Sequence, residues 1–347
     1  MSKSARLLKQ FDRAAQRRRD LIALLALLLV ILSAVSMLTG PASVSLLDLV
    51  DGASAAQGDA WIVMMEIRAP RLALAILVGG ALGLSGAAAQ SLTRNPLADP
   101  GIFGAPQAAA LGAVCLLYFG YAEAGEPSLT AAAVGGAATA IALVILLVRK
   151  SFSIVSVLLA GLAVGSLCGA GVAIALSLSP NPFAMADLVF WLMGSFADRS
   201  YIHVALAAPL LIAGAALLMA NGSAYRALSL GEDTAASLGF RVGKTALLTA
   251  VGLSLTIGAA TAAAGSIGFI GLMAPHLVRS FCSGDPKSVL VPAALAGALL
   301  TTGSDILVRM IPSTSEIPVG VVTALLGAPF FLYLVTSRRA MFGTLEK

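Results

Sequence analysis

The chain has 347 residues, 59% of them hydrophobic and 11% charged, with a mean hydropathy of +0.94. A soluble fold of this length needs a far more polar surface, so a water-soluble enzyme is excluded and a polytopic membrane protein is expected. The net charge of +5 would suit a nucleic-acid partner, but the basic residues fall in short clusters beside apolar runs and not in one patch, so no nucleic acid is expected.

Residues 1–20 read as a basic, polar, cytoplasmic tail ending in Arg17-Arg18-Arg19 and Asp20. The apolar run 21–39 that follows lacks a small-x-small cleavage site, which favours a retained first helix over a cleaved signal. Further apolar stretches lie at 70–91, 101–119, 129–148, 154–178, 202–220, 245–263, 266–281, 288–308 and 317–336. A helix needs about 20 such residues to cross roughly 30 Å of hydrocarbon, and its backbone is satisfied internally. The expected fold is therefore all-α, a bundle of ten transmembrane helices spanning 21–337, with a short cytoplasmic tail at 338–347. The stretch 186–197 is too short to span and reads as a non-spanning helix buried by protein.

Ten crossings put both termini on one side, together with 18 of the 22 Lys and Arg residues. Arg68, Arg71, Arg199 and Arg309 alone fall opposite. The positive-inside rule makes the crowded side cytoplasmic in a bacterial inner membrane. An eleventh crossing at 186–197 would carry every basic residue from Arg226 to Lys347 outside, except Arg309. Gly79 and Gly83 on the second span, and Gly161, Gly165 and Gly169 on the fifth, form small-residue faces suited to close helix packing.

Candidate chemistry is sparse. Gly239-Phe-Arg-Val-Gly243-Lys244-Thr245 falls short of a phosphate-binding loop, because the required first glycine is Leu238. His203 and His276 stand alone, and no HExxH or GxSxG occurs. Cys115, Cys168 and Cys282 are scattered, which points to neither a disulfide framework nor a metal site. A membrane enzyme is disfavoured, and a secondary transporter would need a midplane ion site that no internal repeat suggests. The energy source is then expected on another subunit. The longest cytoplasmic loop, 222–243, offers a handle: Ser229 or Gly231 caps a short helix with Glu232 and Asp233 in its first turn, ended by Gly239.

Several ordered motifs carry a resemblance. They are Ile67-Arg68-Ala69-Pro70-Arg71, Gly79 to Gly86, Arg94-Asn95-Pro96-Leu97-Ala98-Asp99-Pro100-Gly101, Leu228-Ser-Leu-Gly-Glu232 with Ala236-Ser-Leu-Gly239, Gly265 to His276, and Glu316 to Pro329. From about residue 20 to 337 the chain resembles the FecCD family of binding-protein-dependent permeases. That resemblance implies a type II ABC importer of ferric siderophores, haem or cobalamin, built on two permease subunits and expected here as a homodimer. Two cytoplasmic ATPase subunits would carry ATP and Mg, a periplasmic or lipoprotein binding protein would deliver the cargo, and this chain would bind no cofactor.

The resemblance also implies roles. Leu228, Gly231, Glu232, Asp233, Ala236, Leu238 and Gly239 fall on the element that couples to the ATPase. Asn95, Leu97, Ser153 and Ile154 match positions closing the cytoplasmic end of the pathway in the family's cobalamin importer. Arg68, Arg71 and Arg309 match positions that meet glutamates of the binding protein. Without the resemblance, the arginines read as interfacial anchors, with Arg309 an i,i+4 partner of Asp305.

Overall fold

The computed structural model describes residues 3–40, 59–119, 121, 126–149, 153–178, 182–312 and 316–342. Among them the secondary structure is helical, without strands. Helix α1 (Lys3–Leu38) begins within the basic tail. A helical turn at Asp59–Ile62 and a π-helix at Val63–Arg68 lead into α2 (Ala69–Thr93). A 3-10 turn at Pro100–Phe103 precedes α3 (Ala105–Tyr118), followed by α4 (Pro127–Val148) and α5 (Ile154–Ser177). Then come α6 (Pro182–Leu192), α7 (Tyr201–Ala220), α8 (Gly222–Leu228), α9 (Glu232–Ser237) and α10 (Val242–Ala264). Finally, α11 (Ile270–Arg279), α12 (Pro286–Met310) and α13 (Val319–Phe342) complete the chain.

All ten apolar stretches carry helix. Seven helices among the described residues are long and apolar enough to cross a membrane, and Ala105–Tyr118 and Val319–Tyr333 are shorter apolar helices. The stretch expected at 266–281 is helical only over the ten residues of α11, about 15 Å of rise. Residues 265–269 are non-helical, with Gly265 and Phe269 at φ 71° and 67°, so right-handed helix starts only after Phe269.

That irregular segment is held by backbone hydrogen bonds to its neighbours and lines a cavity, with Ser266 and Gly268 exposed, as non-helical backbone at membrane depth must be either buried or on a cavity wall. Ser195 N donates to Ala264 O at 2.8 Å, Ser266 N to Leu192 O at 3.4 Å, and Gly320 N to Gly194 O at 3.3 Å. The non-spanning helix lies there too, but four residues earlier than the sequence suggests. Residues 193–197 are non-helical; Trp191 and Phe196 are buried, but Met185, Val189, Phe190 and Met193 are exposed, so the helix is not buried within this chain, contrary to the expectation from sequence.

The second span, α10 and α12 form the centre, with 72%, 78% and 67% of their apolar windows buried, whereas α1 buries only 6% and lies outside. Small residues make that centre possible. A methyl at Gly79 would lie 2.5 Å from Gly297 O, and one at Gly83 would strike Ala293 O, so α2 and α12 touch backbone to backbone. The fifth-span face works likewise: a methyl at Gly165 would lie 2.8 Å from Gly104 Cα. With little hydrophobic drive between helices in lipid, such close packing and interhelical hydrogen bonds provide the cohesion. Examples are Ser85 Oγ with Thr256 Oγ1 at 2.6 Å and Thr130 Oγ1 to Ala262 O at 3.1 Å.

Candidate functional site

Three features stand out: a helical platform at the basic end of the bundle, a cavity in its wall, and an ionic cluster at the opposite end.

The platform is built by α8 and α9. Gly231, at φ 109°, is the residue from which α9 starts, and Glu232 and Asp233 occupy the first turn, where the helix dipole favours negative charge. At the other end Gly239 N donates to Ala236 O at 2.9 Å and Phe240 N to Ala235 O at 3.0 Å. These paired bonds, with Gly239 at φ 89°, form a Schellman stop. Ser229 does not cap α9; its hydroxyl donates to Arg226 O.

The platform is fastened from below. Tyr225 is buried, with its hydroxyl 2.9 Å from Thr249 Oγ1, and Arg226 makes a two-pronged pair with Asp285 at 2.8 and 2.6 Å. The hydrogen bond to Asp285 raises the Arg226 pKa. Burial alone would raise the Asp285 carboxyl, but bonds from Arg226 and Ser288 and the Arg226 charge hold it below its usual range.

Of the residues assigned to coupling, Glu232, Asp233, Ala236, Leu238 and Gly239 are exposed, whereas Leu228 is buried and serves packing. Leu230 and Leu238, at 64% and 58% exposure, place large apolar side chains on this otherwise polar end. Arg94 Nη2 reaches Glu232 Oε1 at 3.3 Å and ties the platform to the end of α2.

That tie leads to the residues assigned to the gate. Arg94 takes a left-handed conformation as α2 ends, and Asn95 Oδ1 accepts from Leu97 N at 2.9 Å, which leaves Leu97 exposed. Ser153 caps α5, its Oγ accepting from Ser156 N at 3.0 Å, and Ile154 is buried. Both pairs lie at the basic end, although among the described residues no hydrogen bond joins them. Deeper in the bundle, a cavity of about 550 Å³ opens between the glycine face of α5, the middle of α2, the start of α3, the end of α10 and the segment 265–269. Asp99, Gln107, Ser166, Thr261 and Ser266 supply its polar lining.

At the opposite end the structure gathers the three assigned arginines, but inside the protein and not on a free rim. Arg71 Nη2 and Nε donate to Asp305 Oδ1 at 2.7 and 2.9 Å, and Arg71 also pairs with Glu316. Arg309 Nη2 lies 3.2 Å from Asp305 Oδ2, the i,i+4 pair expected from spacing, and Nη1 donates to Ser36 O and Thr39 O. Arg68 Nη1 donates to Met37 O at 2.7 Å. Arg68 and Arg71 are 4% and 8% exposed and Asp305 is fully buried, so these charges clamp the end of α1 to α2 and α12. The roles of Asp305 and Glu316 as partners of Arg71 were missed. The available signal was a carboxylate inside an apolar span, which must find a cation.

The model of the FecCD transport family matches residues 27–337. The uncharacterized ABC transporter permease protein YvrB of Bacillus subtilis (strain 168) is 37% identical over 80% of each chain. The hemin transport system permease protein HmuU of Yersinia pestis is 34% identical over 92% of this chain and 96% of its own. The vitamin B12 import system permease protein BtuC of Citrobacter koseri is 33% identical over 81% and 89%. A solved ABC transporter assigned to the metal-chelate type, in an inward-facing conformation, superposes with a TM-score of 0.81 at 30% identity, covering 92% of this chain and 99% of that one.

Proposed function

The chain belongs to the FecCD transport family and is an ABC importer permease, and from that premise we propose that it passes a ferric siderophore across the bacterial inner membrane. The observation that carries this reading is the likeness to the metal-chelate transporter over nearly the whole of both chains. Haem and cobalamin are the second readings, supported by hemin and vitamin B12 permeases that match with equal identity and coverage. Uptake of iron-55 siderophore, hemin and cobalt-57 cobalamin, compared in one strain carrying and lacking this chain, tests the choice. Loss of siderophore uptake alone supports the first reading, and loss of hemin or cobalamin uptake replaces it.

In this scheme the basic end is cytoplasmic, supported by its 18 of 22 cationic residues. A second copy of the chain completes the pathway, and two ATPase subunits bearing ATP and Mg dock on the platform. Leu230, Ala236 and Leu238 enter an apolar pocket on the ATPase, and Glu232 meets its basic groups. Movement of α9 then reaches Asn95 and Leu97 through the Arg94–Glu232 pair, so that this turn and the capped start of α5 at Ser153 and Ile154 open and close the exit. No catalytic step falls to this chain. At the other end a periplasmic or lipoprotein binding protein docks over the arginine cluster. The support for this reading is that the three arginines gather at that end, close to the surface that a docking protein would cover.

A further inference from the structure

A second cavity, of about 630 Å³, lies at the basic end between the first half of α1, the end of α8 and the turn joining α11 to α12. Arg18, Arg226, Ser229, Ser283, Asp285 and Ser288 line it. Its one carboxylate is already neutralised: both oxygens of Asp285 accept from Arg226, and Ser288 adds a third bond. Arg18 is different. Its Nε is buried and has no hydrogen-bond partner among the described residues, although a buried guanidinium N–H needs an acceptor. The cavity therefore holds an uncompensated cation beside hydroxyl groups, chemistry that suits a phosphate.

The location identifies the source of that phosphate. Arg18 sits three residues before the apolar run of α1 begins at Leu21, at headgroup level if the helix crosses a bilayer. Helical spacing places Leu24, Leu28 and Ile31 in line with the neighbouring Arg17, and all three are exposed. A basic pocket at headgroup level, with an exposed apolar face of α1 one residue round the helix from Arg18, fits a phospholipid with its headgroup in the cavity and its acyl chains against that neighbouring face. We propose that this cavity is a binding site for an anionic phospholipid of the leaflet at the basic end. The inference requires only that α1 lies in the membrane, so it stands whatever the cargo.

The test uses the full chain in neutral detergent micelles doped with phosphatidylglycerol or phosphatidylcholine, with bound lipid counted by native mass spectrometry. The wild-type chain should retain phosphatidylglycerol preferentially. Arg18→Gln should lower that retention about fivefold, the worth of one basic residue at an anionic surface. Ser283→Glu, which sets a carboxylate at the exposed mouth of the same cavity, should lower it likewise, and Arg241→Gln, at an exposed cation outside the cavity, should not. Equal retention of the two lipids, or retention unaffected by both cavity variants, overturns the proposal. Displacement of the lipid by inorganic phosphate at equal concentration also overturns it, assigning the cavity to a free phosphate.

Discussion

Replacing Asp305 by Ala removes the hub of the buried cluster. The carboxylate accepts three bonds from Arg71 and lies 3.2 Å from Arg309, with its side chain wholly buried. Without it, two guanidinium groups confront each other with only Glu316 to balance them, and that side chain is 28% exposed. Breaking a buried pair by deleting one partner costs about 3–5 kcal/mol, because a charge is left unpaired. Loss of Arg71 should cost less, since Asp305 keeps Arg309. At about 2 °C per kcal/mol for a large chain, Asp305→Ala should lower Tm by ~6–10 °C in detergent. The double variant Arg71→Met/Asp305→Leu should recover at least half of that loss, because an apolar pair of similar volume is nearly neutral. Thermal melts of wild type, Arg71→Met, Asp305→Leu and the double variant, with Asp305→Ala beside them, complete the cycle. A Tm drop below ~2 °C for Asp305→Ala, or strictly additive losses in the double variant, would refute the clamp.

The other predictions follow from single contacts. Gly83→Leu would force α2 away from the Ala293 carbonyl, so the well-folded fraction on size exclusion should fall sharply while Gly135→Leu, whose Cβ meets nothing within 4 Å, stays near wild type. Leu238→Asp, at an exposed position on the platform, should preserve folding yet abolish the ATPase stimulation that cargo-loaded binding protein produces, and unchanged stimulation would remove this face from the coupling contact. Ala235 is unsuited to such a test, being fully buried. The Asp285 carboxyl is held below its ordinary value, so its pair with Arg226 contributes fully above about pH 3.9 and is lost as pH falls through the folded value. With the Arg226 side chain 56% exposed, that contribution stays below about 1 kcal/mol, and the Tm gap between wild type and Asp285→Asn should hold down to about pH 4 and narrow below it by that small amount.

Hydropathy alone located every apolar stretch that becomes a helix, because a run of apolar residues in lipid has few alternatives to helix. Helix α9 was equally legible, since Gly231, Glu232, Asp233 and Gly239 each act through local backbone chemistry. Helix α8 was not, because its seven residues carry no cap signal and are held by Tyr225 and Leu228 packing against distant helices. The short α11 escaped for another reason. Hydropathy is blind to backbone conformation, and the non-helical segment at 265–269 falls within the same apolar run as the helix that follows it. The buried arginine network was hidden by distance in the chain, as Arg71 finds its partners 234 and 245 residues away. Charges counted on one side of a membrane show which end they occupy, but not whether they face a partner or each other.

The central claim is that this chain moves cargo only when ATP is hydrolysed on a partner subunit. Proteoliposomes containing the chain with its ATPase, supplied with binding protein and iron-55 siderophore, measure that directly. The account predicts accumulation that needs ATP and Mg, ceases when the ATPase is omitted, and is indifferent to an imposed proton or sodium gradient. Accumulation by the chain alone, driven by such a gradient without ATP, would contradict it.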